Sequence, residues 1–88
     1  MTPREVLLAA ADLLERDGWI QSGAYHPGGP ACVINAFLAV EPDDLDSRAG
    51  AHELFIAHVG ARRGIDEWND APGRTRDEVV RALREAAR

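Results

Sequence analysis

Apolar residues return every three or four positions through most of the chain. That rhythm matches one face of an α-helix and predicts an all-α fold, a single small domain of about four short helices. The first stripe, Val6, Leu7, Ala10, Leu13 and Leu14, predicts a helix over Pro3 to Arg16. Thr2 supplies its cap, Pro3 sits at the first helical position where a missing N–H costs nothing, and Glu5 closes a capping box. Gly18 ends it. A second helix is expected over Ala31 to Val40. Its Val33, Ile34, Phe37 and Leu38 are nearly continuous, so it reads as the buried centre around which the others pack. A third, capped by Asp46 or Ser47 after the acidic turn EPDDLD, should run from Arg48 to Arg62. It would bury Ala51, Leu54, Phe55, Ala57, His58 and Val59 and stop at Gly60 or Gly64. A helical turn over Ile65 to Trp68 follows. The last helix starts from a second capping box at Thr75 to Glu78 and carries Val79, Val80, Leu83, Ala86 and Ala87 at helical spacing.

One stretch breaks the rhythm. Gly18 to Pro30, GWIQSGAYHPGGP, holds too many glycines and prolines for a helix and predicts an ordered Gly/Pro-rich loop between helices one and two. Trp19 to Gln21 fits a short strand within it. Trp19, Ile20 and Tyr25 should fold back on the core, since so small a domain needs their burial.

Composition narrows the function classes. A net charge of −5 repels a nucleic-acid backbone unless the basic residues cluster, and they do not. All of them are Arg, which with the heavy use of Ala, Gly and Asp reads as the product of a GC-rich genome. A lone Cys32 excludes an internal disulfide, and the N-terminal stripe is interrupted by Arg4, Glu5 and Asp12. The expectation is a soluble cytoplasmic protein without membrane attachment.

The run WNDAPGRT at residues 68–75, together with GW-x-Q at 18–21 and G-x-x-C at 29–32, resembles an uncharacterised family of small actinobacterial and actinophage proteins. The similarity spans the chain from helix one to the final helix. The resemblance implies a domain of unknown function and brings no catalytic role with it. The family's recurring positions map to Trp19, Gln21, Cys32, Trp68, Asn69, Asp70 and Thr75. Ile20 and Asn35 depart from the family pattern, so no site is implied there. Read as residues, WNDAPGRT is mainly structural. Trp68 anchors one end of the core, Asn69 and Asp70 bond nearby amides, Pro72 and Gly73 turn, and Thr75 caps. The competing reading makes Trp68, Asn69, Asp70 and Arg74 a surface recognition site.

Chemistry, if any, centres on Cys32, placed near a helix start where unpaired N–H groups favour a thiolate. A thiol enzyme would need His52 or His58 as base, Asn69 or Asp70 to orient it, and Gln21 as oxyanion donor. Burial of Cys32 as a small hydrophobe is the simpler reading. His52 and His58 do not share a helix face, which argues against a zinc pair, and His26 reaches Cys32 only if the loop folds over the helix start. HPGGPAC has no Gly-Lys-Ser/Thr, so no nucleotide or other cofactor is expected. The arginines of the last helix interleave with acids, Arg81 and Glu85 at i, i+4, as on a solvated face. The balance favours a non-catalytic interaction or accessory protein with an unidentified protein partner, with homodimerisation left open. The alternative is a thiol enzyme or small-molecule binder at Cys32.

Overall fold

A computed structural model describes residues 1–88 and is all-α. The helices are α1 (Pro3–Asp17), α2 (Val33–Val40), α3 (Leu45–Val59), α4 (Ile65–Asn69) and α5 (Arg76–Ala86). Four are substantial, and α4 is the short helical element expected before the final helix.

The centre of the fold is α1, not α2. It packs against α2, α3 and α5, and Val6, Leu7, Ala10, Ala11, Leu13 and Leu14 are all buried. Two adjacent apolar rows at positions 6/10/13 and 7/11/14 make its stripe broad enough to serve three neighbours. The apolar composition of α2 is misleading by contrast. Only Val33, Ala36 and Phe37 turn fully inward, Ile34 is half-buried, and Leu38 is 48% exposed. A helix of eight residues has barely two turns, and here one side of them faces solvent.

Caps explain where the helices begin. Both halves of the Thr2–Glu5 capping box are present. At α5 only one half forms. Thr75 accepts from the Glu78 amide, but the Glu78 carboxylate turns to Arg74 at 2.6 Å instead of reaching back. Asp44, earlier than either expected residue, caps α3 by accepting from the Ser47 amide at 3.0 Å, and the Ser47 hydroxyl donates to Asp44 and to the Met1 carbonyl. Gly18 ends α1 with φ of 100° and ψ of 162°, an extended left-side conformation that sends the chain straight into the loop.

Helix α3 buries a narrow row, Ser47, Ala51 and Phe55, and the next residue on that row, Val59, is half-buried. His58 lies beside the row and is exposed, as is Ala57, so His58 is not the core histidine its spacing suggested. Gly50 has a packing role. A Cβ there would stand 2.6 Å from the Pro3 ring, so glycine lets α3 pass close over the start of α1. On α5, Val79, Val80, Leu83 and Ala86 are buried. Arg84 reaches across to Asp12 at 2.9 Å and Glu15 at 3.1 Å on α1, the links that form in place of the expected Arg81–Glu85 pair.

These roles predict a contrast. Leu14→Ala in α1 should cost about 2–5 kcal/mol by cavity formation, whereas Leu38→Ala in α2 should stay within about 0.5 kcal/mol. Urea denaturation of the two variants checks it, and comparable losses would restore α2 as the centre.

Candidate functional site at the Trp68-Asn69-Asp70 turn

The residues singled out by sequence converge where α4 ends against the Gly/Pro-rich loop. Asn69, last residue of α4, is 1% exposed, and its carboxamide is fully engaged. Its Oδ1 accepts from Trp19 Nε1 at 2.8 Å and from the Val33 backbone N–H at 3.1 Å. Its Nδ2 donates to the Ile20 carbonyl at 3.2 Å and to Asp70 Oδ1 at 3.0 Å. Two donors face the oxygen and two acceptors face the nitrogen, so only one orientation of the amide fits. The Val33 N–H is one of the donors that a helix start leaves without a partner. Asn69 therefore caps α2 from outside while holding the loop.

Neighbouring groups extend the network. Gln21 Nε2 donates to the carbonyls of Asn69 at 3.2 Å and Ala71 at 2.8 Å. Asp70 accepts from the Ser22 amide at 3.0 Å and the Ser22 hydroxyl at 2.8 Å. Ser22 sits at φ of 52°, the one non-glycine residue on that side of the map, and the two bonds to Asp70 hold it there. Donation from Asn69 and Ser22 keeps the Asp70 carboxyl below its usual value of 3.8. The loop is closed by one parallel bridge. Ala31 N–H bonds the Gly18 carbonyl and Ile20 N–H bonds the Ala31 carbonyl, both at 3.2 Å, so the expected short strand is reduced to Trp19 against Ala31. Trp19 and Tyr25 pack on the core as expected, whereas Ile20, half-buried, lies over Gly23 and not among the residues packed on the core.

Trp68 presents one face to Arg74, whose guanidinium carbon lies 3.9 Å from the ring centroid, and meets Phe55 edge-on at 5.1 Å. Arg74 Nε also bonds the Trp68 carbonyl at 3.0 Å. The half-buried Trp68 and Arg74 thus form one unit. Of the four residues read as a recognition surface, Asn69 is inside the protein.

Cys32 is the N-cap of α2, half-buried, its sulfur accepting weakly from the Asn35 amide at 3.5 Å. It borders a shallow depression with Ser22, Asn35, Asp66 and Asp70. His52 stands on α3 edge-on to Phe37, with ring centroids 6.4 Å apart, and His58 is exposed. No hydrogen bond joins either imidazole to Cys32. Gln21 has both amide protons committed and Asn69 is saturated, so neither is free to take the part a thiol mechanism would give it. His26 is exposed at a turn closed by the bond from Gly29 N–H to its carbonyl. No three His, Cys, Asp or Glu side chains converge on a point that could hold a metal.

Sequence reasoning missed the pairing across the site, Trp19 with Asn69 and Ser22 with Asp70. Their signal was faint: two short motifs about fifty residues apart, each rich in side chains that donate or accept. It also missed an apolar groove between α2 and α3, lined by Ile34, Phe37, Leu38, Leu45, Ala49 and His52.

Replacing Asn69 by Ala would strand the Trp19 and Val33 donors and the Ile20 acceptor, at a cost of about 2–4 kcal/mol in urea denaturation. A double-mutant cycle with Trp19→Phe should return a coupling of about 1 kcal/mol, and zero coupling would sink the Trp19–Asn69 bond. Asp70 adds a pH term. Because its folded pKa is depressed, it contributes stability above pH 3.8 that is lost as pH falls through the lower folded value. Glu5, Asp17 and Asp44 are depressed as well, so acid should destabilise the chain and Asp70→Asn should remove part of that loss, not all. Urea midpoints measured from neutral pH down to pH 2 test this, and an unchanged pH profile in the variant would refute it.

No curated protein and no solved structure matches this chain. A family model does, over residues 1–88. The chain, with its asparagine-centred turn, belongs to the family of unknown function DUF6197.

Proposed function

We propose that this protein is a non-catalytic interaction or accessory protein of the cytoplasm that acts by binding another protein. The supporting observation is the engagement of its most conspicuous polar groups: Asn69, Asp70 and Gln21 are spent on holding the loop to α4 and α2. Residues placed for catalysis keep a donor, acceptor or nucleophile aimed at a substrate; these are aimed at the chain itself. No helix is long and apolar enough to cross a membrane, consistent with a partner met in water. In this reading Trp68, Asn69, Asp70 and Arg74 serve recognition indirectly, by shaping the surface beside them. The WNDAPGRT resemblance implies an actinobacterial or phage source, and basic residues that are all Arg fit a GC-rich genome.

The rival thiol reading has one observation in its favour, the half-buried Cys32 at a helix cap. Alkylation separates the two. The native chain should react slowly with iodoacetamide and speed up on unfolding. Rapid labelling that is already level near pH 6 would overturn the interaction reading in favour of an activated nucleophile. In parallel, Cys32→Ala should capture the same stoichiometric partner from the native host as the unaltered chain.

A further inference from the structure

Three leucines are exposed, Leu8 at 44%, Leu38 at 48% and Leu45 at 67%, and the last two share one surface feature. Leu38 and Leu45 come from different helices yet line one groove, whose remaining surface is Ile34 and Phe37 from α2 and Arg48, Ala49 and His52 from α3. Leu45, Ala49 and His52 lie at i, i+4 and i+7 on α3, and Ile34 and Leu38 at i, i+4 on α2. Each helix thus turns a continuous row toward the other with nothing laid over it. The groove encloses about 300 Å³, the lower end of the range for sites that take side chains or small ligands.

The charges around it are unequal. Asp43 and Asp46 flank Leu45 where α2 turns into α3, and Glu53 follows Ala49 by one turn on α3; all three are exposed and none is paired in an ion bridge. Asp44 is held in its cap and Glu41 by the Met1 amine at 2.8 Å. Arg48 is the one cation on the groove, and its guanidinium is turned to the Glu41 and Pro42 carbonyls at 2.7 and 2.9 Å, where it closes the end of α2. Next to the apolar lining the chain therefore carries three unpaired acids against one lining cation, Arg48.

From this we infer that the α2–α3 groove is a docking site for a basic amphipathic helix of a partner protein, with apolar anchors entering between Leu38 and Leu45 and Lys or Arg meeting Asp43, Asp46 and Glu53. Laying one apolar helical face into a groove is a common way for a small helical domain to bind, and complementary charge sets the partner and speeds the encounter. Charge also decides against a second copy. Face-to-face pairing of two such grooves would bring these acids toward their own copies in a chain already at −5. The inference rests on the interaction reading above and supplies its surface and partner class.

The test is a titration of the isotopically labelled full chain with a synthetic helical peptide carrying Leu at i, i+3, i+4 and i+7 and Lys on its other face. Amide shifts should concentrate at Ile34, Leu38, Leu45, Ala49 and His52. Leu38→Gln with Leu45→Gln should weaken binding by about tenfold or more. Asp43→Asn with Asp46→Asn, which spares the Asp44 cap, should weaken it by several-fold and flatten its salt dependence. Both leucines are exposed, so unchanged melting curves are expected and serve as the folding control. Equal binding by the same peptide with Glu replacing Lys, shifts centred elsewhere, or indifference to the double Leu variant would each overturn the site. So would a dimer of the chain alone that the double Leu variant dissolves, since the occupant would then be a second copy. A host partner captured equally well by the double Leu variant overturns the groove and leaves the interaction reading standing, whereas an activated Cys32 removes the reading itself.

Discussion

One buried carboxamide joins three separate pieces of this chain. Asn69 stands at the end of α4, its oxygen bound to the Trp19 indole and to the first amide of α2, its nitrogen to the Ile20 carbonyl and to Asp70. A buried amide left short of partners is costly, and a buried amide with every partner in place is highly directional. The site therefore accepts one arrangement of loop, α2 and α4 and penalises its neighbours. The Gly/Pro-rich loop needs such a device, because its glycines give up much conformational freedom on ordering and it owns only one bridge of regular backbone pairing. Trp19 adds burial, and Asn69 fixes where that burial occurs.

The same arrangement engages several of the residues from which a thiol site would be built. Cys, Gln, Asn and Asp recur in catalytic sites because their atoms can be aimed, and here Gln21, Asn69 and Asp70 are aimed at the chain itself. Gln21 braces the carbonyls that follow α4, Asp70 holds Ser22 in a left-handed conformation, and Cys32 occupies a cap position where a serine or aspartate would do the same work more strongly. Polar networks of this kind give a small core a unique register, something that alanine-rich apolar packing supplies poorly.

Much of the fold was legible in the chain. Periodicity located α1, α3 and α5, and Thr2 and Thr75 marked two of their starts, because amphipathic spacing and caps are local properties. What depended on contacts between distant segments was not legible. The apolar run of α2 does not reveal that Leu38 faces water, since an eight-residue helix too hydrophobic to show a polar side offers no contrast from which to read its buried face. His58, seven residues after Ala51, lies on nearly the same side of α3, yet in the last turn of the helix it is exposed, which spacing alone does not reveal. Glu78 was expected back at Thr75 and went to Arg74, whose guanidinium is already positioned by the Trp68 ring and carbonyl. At the site, sequence read Asn69 and Asp70 as turn residues bonding nearby amides, with a surface recognition role as the rival, and neither reading brought Trp19 or Val33 beside them. Asn69 looks like a turn residue, and only the arrival of Trp19 and Val33 from elsewhere in the chain makes it a core residue.

That α2 exposes a leucine follows from the dominance of α1. A single central helix with a wide apolar stripe can serve three neighbours, and each neighbour then needs only one inward row: Val33, Ala36 and Phe37 from α2, Ser47, Ala51 and Phe55 from α3. Both helices spend those rows on α1 and on each other's edge, so the outer wall between them carries no structural demand for apolar residues. Polar side chains there would cost the fold little, since exposed positions are nearly neutral to stability. Leucine at 38 and 45, over a floor of Ile34, Phe37 and Ala49, is therefore not explained by folding. Their placement in one groove, with Asp43, Asp46 and Glu53 close by in the chain, is what the proposed docking of a basic helix would account for.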